Sequence, residues 1–199
     1  GSFAVFTARM SVKGPGVTVS GYKFDRNTGA FLDAASAQIA LKPADAVIFL
    51  GAPKSVGMLL KSVRADNSRA TAYTLSVVDA LGVVKDVGAP VAHGLLITQV
   101  MPNPRKSSLK FARDYRTLMD ATKQPLSYAG LEGYLSGRVL LDALGRIKGP
   151  PTRDKLYAAL EDSGKMDVGG LVMSFSRKSH EGAKFVDLSM VSSTGSIID

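Results

Sequence analysis

Asp45-Ala46-Val47-Ile48-Phe49-Leu50-Gly51-Ala52-Pro53-Lys54-Ser55 is the stretch around which the rest of the chain can be placed. Ala46 to Leu50 is an unbroken apolar run, short and closed by Gly51, the pattern of a strand buried on both faces of a parallel sheet. Gly51 supplies a flexible turn, and Pro53 stands where a helix can begin. Beyond it, Val56, Leu59, Leu60 and Val63 recur at helical spacing and make one apolar stripe for the sheet. Strand, tight turn and helix are half of a βαβ unit. In open α/β sheets ligands collect beyond the carboxyl ends of the strands, which places Gly51 to Ser55 beside any ligand this chain binds.

Working outward, the chain up to Met101 alternates strand and helix with short links. Val17-Thr18-Val19-Ser20 reads as a strand by its β-branched content, after a helical stretch Ser2 to Val12 that Gly14-Pro15-Gly16 ends. A polar loop, Asp25 to Gly29, leads to a helix from Ala30 to Leu41. The helix after Ser55 closes near Asp66-Asn67, Ala70 to Thr74 is a strand, Val77 to Val87 a helix and Gly94 to Met101 a strand. This alternation predicts a parallel α/β sheet with right-handed crossovers. At Pro102-Asn103-Pro104 the style changes. Ser107 to Met119 and Tyr128 to Leu144 read as helices, the second carrying Gly130, Gly133 and Gly137 as a thin face for close packing. Thr152 is placed to cap a third helix that buries Leu156 and Leu160. Leu171 to Phe175 and Phe185 to Val191 read as two antiparallel strands about the turn Lys178 to Gly182. The expected fold is α/β, a parallel sheet flanked by helices, with additional helices and a C-terminal β-hairpin.

Composition narrows the function. With 45% apolar and 21% charged residues over 199 positions, the chain has the material for a real core. The absence of cysteine removes disulfides and thiolate metal sites, and two histidines, His93 and His180, are too few for a histidine-rich site, so neither metal nor cofactor is expected. The net charge of +8 is scattered and the aromatic content only 7%, a solvated basic surface in preference to a nucleic-acid platform. No run of about 20 apolar residues is present to span a membrane, and the opening residues do not read as a signal peptide. There is no G-x-S-x-G elbow, no phosphate loop and no H-E-x-x-H, so no catalytic residue is assigned. His93 and His180 read as structural or solvated, and Asp33 and Asp79 as helix-surface or capping groups. For Lys54 and Ser55 two readings stand level: a solvated helix start, or an anion site facing the first free backbone N–H groups.

The order and spacing of several segments carry a family likeness. They are Leu131-Glu132-Gly133-Tyr134 with the apolar helix to Leu144, Pro151-Thr152-Arg153-Asp154-Lys155-Leu156, Gly170-Leu171-Val172-Met173-Ser174-Phe175-Ser176 and His180-Glu181-Gly182-Ala183-Lys184-Phe185-Val186-Asp187-Leu188, with Lys42 to Ile48 and Gly94 to Val100 upstream. Together they resemble the C-terminal portion of type I periplasmic binding proteins, the branched-chain amino acid type of ABC-transporter substrate-binding protein. The resemblance implies two α/β lobes, here residues 1–101 as most of a ligand-binding lobe, and residues 102–199 as helices and a hairpin completing the other lobe, the last strand returning to the first. It implies binding of a small molecule, amino acid-like or an aromatic or organic acid, between lobes, a hinge closure, a periplasmic location and an ABC membrane permease as partner, with no enzymatic activity.

By position, the loop Ala52-Pro53-Lys54 matches one that contacts ligand, with Ser55 beside it. The loop Leu75-Ser76-Val77-Val78 matches the one where amino-acid-binding members hold a carboxylate against the ligand's ammonium group. Here that position falls on Val78, and the nearest acid is Asp79. The candidate ligand-binding residues are therefore Ala52, Pro53, Lys54, Ser55, Leu75, Ser76, Val78 and Asp79. An unpartnered buried ammonium is costly, so an anionic or aromatic ligand near Lys54 is expected in place of an ordinary amino acid. Calorimetry showing micromolar leucine binding would contradict that expectation. Helices after Pro104 would expose apolar faces if the chain stood alone, so self-association or swapping is expected, and sedimentation as a compact monomer would contradict it. A ligand-sensing regulatory domain of the same fold and a small α/β enzyme are the alternative readings.

Overall fold

The computed structural model describes residues 16–23, 37, 44–65 and 70–199. The opening stretch folds as strand, turn and helix, with β1 at Ala46–Phe49 and α1 at Pro53–Ala65. Pro53 takes the first helical position, where its fixed φ suits the helix and its missing N–H costs nothing. Val56, Leu59, Leu60 and Val63 then turn one stripe inward, each 5% exposed or less. β2 (Thr71–Leu75), α2 (Ala80–Val87), the short α3 (Ala89–Ala92) and β3 (Leu96–Gln99) follow. Gly88, at φ 84°, stops α2 and donates its N–H to the Val84 carbonyl, a backbone conformation that favours glycine.

Past Pro104 come α4 (Lys110–Thr122), α5 (Tyr128–Gly145) and α6 (Arg153–Glu161). Ser127 caps α5 by accepting the Gly130 N–H, and Thr152 caps α6 by accepting that of Lys155. The strands β4 (Lys165–Asp167), β5 (Val172–Ser174), β6 (Asp187–Val191) and β7 (Ile197–Ile198) close the chain.

The main sheet runs β1-β2-β3-β6-β7. β1, β2 and β3 are parallel, with Phe49 opposite Thr74 and Thr74 opposite Ile97, while β6 is antiparallel to β3 and β7 antiparallel to β6. Paired residues share a face, so Val47, Phe49, Ala72, Thr74, Ile97, Ser189 and Val191 lie on one side, and the apolar members of that row pack in one core with Leu59, Leu60, Val63 and Val83 of the helices. Two buried polar groups there are satisfied: the Thr74 hydroxyl donates to the Phe49 carbonyl at 3.1 Å, and Gln99 Nε2 donates to Ser189 Oγ at 2.8 Å. A second core gathers Met101, Phe111, Ala112, Tyr115, Leu131 and Leu135, with Val168, Leu171 and Met173 against it. The two cores divide near residue 100, except that Val191 and Ile197 join the first from the far end of the chain.

Several expectations are corrected in detail. β1 is not buried on both faces: it is the edge of the sheet among the described residues, and Ile48 on the side away from the helices is 42% exposed. Val17 to Ser20 forms no strand, having no pairing partner among the described residues. β5 does not pair with the Phe185–Val191 stretch. It pairs with β4 through the tight turn Val168 to Leu171, which is closer in sequence, and β6 goes to β3 instead. The C-terminal hairpin is β6 with β7. Leu156 and Leu160 are half-buried, and α2 begins three residues later than expected because Asp79 is its cap. Of the three glycines expected to make a thin face on α5, a Cβ on Gly130 would overlap the Tyr115 hydroxyl, whereas Gly133 and Gly137 face open space. Only the first serves close packing. The helix expected at residues 2–12 lies outside the described residues, as does that at 30–41 apart from Ala37, which is helical.

Candidate functional site

Three loops leave the carboxyl ends of three adjacent parallel strands: Leu50 to Ala52 after β1, Ser76 to Asp79 after β2 and Val100 to Pro102 after β3. The register puts Leu50 beside Leu75, one step beyond the Phe49–Thr74 pair. Both are large apolar side chains left in the open, 48% and 39% exposed, and Val77 at the tip of the second loop is 79% exposed. Isolated exposed apolar groups need no explanation. A row of them along the edge where such sheets hold ligands does.

The structure places the candidate residues as follows. Ala52 and Pro53 are half-buried beneath the first loop, and Lys54 is exposed. Ser55 lies in the first turn of α1 and is 4% exposed. Leu75 and half-buried Ser76 line the second loop. Val78 turns into the first core, at 3% exposed, with its N–H bonded to the Leu75 carbonyl at 2.9 Å. Asp79 is exposed and caps α2, one carboxylate oxygen accepting the Leu81 N–H at 3.2 Å. Ala52 and Ser76 thus belong to neighbouring loops, Lys54 and Ser55 to the first turn of the helix after one and Leu75 to the end of the strand before the other, while Val78 turns into the core. Leu50, Val77 and Val100 were absent from the sequence-based set. The signal that finds Leu50 and Val100 is strand parity, since each continues the alternation of β1 or β3 on the face opposite the helices. Val77 sits in a turn, where parity fails.

Beyond Val100 the surface dips into a groove of about 720 Å³ between α5 and the segment that enters β6. Leu135, Val139, Phe175 and Val186 line it, with the carboxylates of Glu132 and Glu181 at its margin. The links across the two cores are held by polar contacts. Tyr128 donates to Asp199 at 2.8 Å, and Asn103 donates to the other oxygen of the same carboxylate. Burial first, then the Asp199 carboxylate, pushes the Tyr128 phenol well above the ordinary tyrosine range, so it remains the donor. On the outer side, His180 Nε2 meets Glu161 at 2.8 Å and stacks on Tyr157, tying the turn after β5 to α6. His93, the C-cap of α3, precedes β3 and so lies at the opposite end of the sheet from the three loops. Among the described residues no cluster of three or more metal-ligating side chains exists, and no helix is long and apolar enough to cross a membrane.

The fold has counterparts among known proteins. A family model described as periplasmic binding protein matches residues 3–195. An extracellular ligand-binding receptor from Verminephrobacter eiseniae superposes with a TM-score of 0.84 at 28% identity, covering 100% of this chain and 57% of that one. A structure described as a possible leucine/isoleucine/valine-binding protein from Rhodopirellula baltica gives 0.82 at 26% identity, covering 98% and 54%. A leucine-binding protein from Thermotoga maritima gives 0.78 at 18% identity, covering 100% and 55%, a likeness of fold. The chain therefore spans little more than half the length of these structures. No curated protein matches it.

Proposed function

The chain belongs to the periplasmic binding protein family, and on that footing we propose that it supplies one wall of a solute-binding cleft, at the carboxyl ends of β1, β2 and β3. The observation that carries this reading is the row of exposed apolar side chains, Leu50, Leu75, Val77 and Val100, at the carboxyl ends of three strands that a parallel sheet brings together. The solute is a small molecule, amino acid-like or an aromatic or organic acid, delivered in the periplasm to an ABC membrane permease. Binding without chemistry is the whole task; no catalytic constellation is part of the reading. Residues 1–101 act as the ligand-binding unit and 102–199 as the portion completing the other lobe, with β6 and β7 returning to the first sheet. Hinge motion would then run through the segments after β3 and before β6, the only stretches where the described chain passes between the two cores.

Native mass spectrometry of the purified chain tests the reading. A retained small-molecule adduct, lost when Val77 is replaced by Asp, is the expected result. An adduct that survives Val77→Asp unchanged would place the solute elsewhere and sink the assignment of this wall.

A further inference from the structure

Among the described residues the chain passes between the two cores twice, and the two passages lie side by side. β3 ends at Gln99 in the main sheet, and Met101 already belongs to the second core. On the return, Val186 lines the groove and Asp187 opens β6 directly opposite Gln99. Two adjacent stretches fix a line, about which one unit can still turn on the other. A third tie is made by Asp199, the residue after β7, on the far side of β6 from β3. One of its carboxylate oxygens accepts the phenol of Tyr128, the first residue of α5, at 2.8 Å, and the other accepts Asn103 Nδ2.

Both donors are themselves held. The Asn103 Oδ1 accepts the Arg105 and Lys106 N–H groups at 2.8 and 3.2 Å, so its NH2 is the part turned to Asp199. The loop beyond it is anchored on α4, where Arg116 donates to the Pro104 and Ser107 carbonyls at 3.0 Å each. Tyr128 packs against the second core, its phenol beside Ser189 and Asp187 of β6. Ser189 in turn accepts Gln99 Nε2 at 2.8 Å, so polar groups run without a break from β3 through β6 and α5 to the end of β7. Asp199 is exposed and Tyr128 half-buried. The bonds between them can therefore open to water without stranding a buried charge, as a contact that opens and closes requires.

We propose that Asp199 is a clasp on the hinge: with Tyr128 and Asn103 on its carboxylate the two units are held in one arrangement, and with those bonds open they turn about the paired stretches 99–101 and 186–187. The proposal rests on the two-unit reading and adds what restrains the movement.

The chain has no cysteine, so nitroxide labels can be placed singly at Lys61→Cys on α1 and Asp120→Cys on α4, both exposed positions. Pulsed electron–electron double resonance on the full chain then reads the distance between the units. A single narrow distance is expected in the parent. Tyr128→Phe and Asp199→Ala each add a second distance, raising the population of the turned arrangement about tenfold or more, as loss of a hydrogen bond to a charged group does. The double variant goes no further than Asp199→Ala alone, which already removes both bonds, and circular dichroism stays that of the parent. Tyr134→Phe, which removes from the same helix a hydroxyl bonded to Arg138 at 3.0 Å, leaves the distance narrow. A parent that is already broad, or Tyr134→Phe broadening it as much as Tyr128→Phe, overturns the clasp. If neither Tyr128→Phe nor Asp199→Ala changes the distance, the clasp is overturned, and Val100→Gly, which loosens the passage itself, tests the hinge. Broadening by Val100→Gly leaves the hinge reading standing; a distance still narrow overturns that reading as well.

Discussion

Phe111→Ala is expected to lower the stability of the chain by about 3–5 kcal/mol. Phe111 is 1% exposed at the start of α4, surrounded by Met101, Tyr115, Leu131 and Leu135 of the second core. Its backbone is pinned as well, since the Phe111 N–H donates to the Gly169 carbonyl at 3.1 Å. Gly169 stands at φ 82°, and a Cβ there would come within 2.9 Å of the Phe111 nitrogen. The β4–β5 turn already lies against the Phe111 backbone, which leaves it little room to refill the space. Urea unfolding followed by far-ultraviolet circular dichroism reads the effect. A loss below about 1 kcal/mol would show that the second core collapses around the gap and is not the packed unit described.

Leu60→Ala is the matching expectation for the first core, a loss of about 2–5 kcal/mol. Leu60 is fully buried in α1, among Phe49, Val56 and Val63, under the strands that carry the three loops. If the first core, which includes β6 and β7, and the second core are separate units as proposed, the two substitutions act on different parts of the chain. Hydrogen exchange then shows faster exchange in β1 to β3 for Leu60→Ala and in α4 and α5 for Phe111→Ala. Equal acceleration of both groups by either substitution would mean one cooperative core and contradict the division.

The local elements were legible because their causes are local. The apolar run ending at Gly51, the stripe from Val56 to Val63 and the Thr152 cap each depend on residues within a few positions, and each is present. The likeness to periplasmic binding proteins was legible for a different reason: order and spacing of many weak segments survive where no single motif does. Strand partners were not legible. β5 and β6 each carry an adequate strand sequence, and only tertiary packing chooses β4 for one and β3 for the other. The exposure of Ile48 was hidden for the same reason, since an apolar run looks alike whether the sheet is covered on one face or both. At the proposed site, the sequence does not tell which side chains of a loop face outward. In Ser76-Val77-Val78-Asp79 the two valines are indistinguishable on paper, and the turn sends Val77 outward, Val78 into the core and Asp79 onto α2.

The carboxyl ends of β1, β2 and β3 are proposed to form a solute-binding wall. Hydrogen–deuterium exchange of the chain, compared before and after removal of co-purified small molecules by unfolding and refolding, tests it most directly. Stripping the solute is expected to raise exchange at Gly51 to Val56, Ser76 to Asp79 and Val100 to Met101, with the remainder of the sheet unchanged. Unchanged exchange in all three loops, with the difference confined to the groove lined by Leu135, Val139 and Phe175, would contradict it.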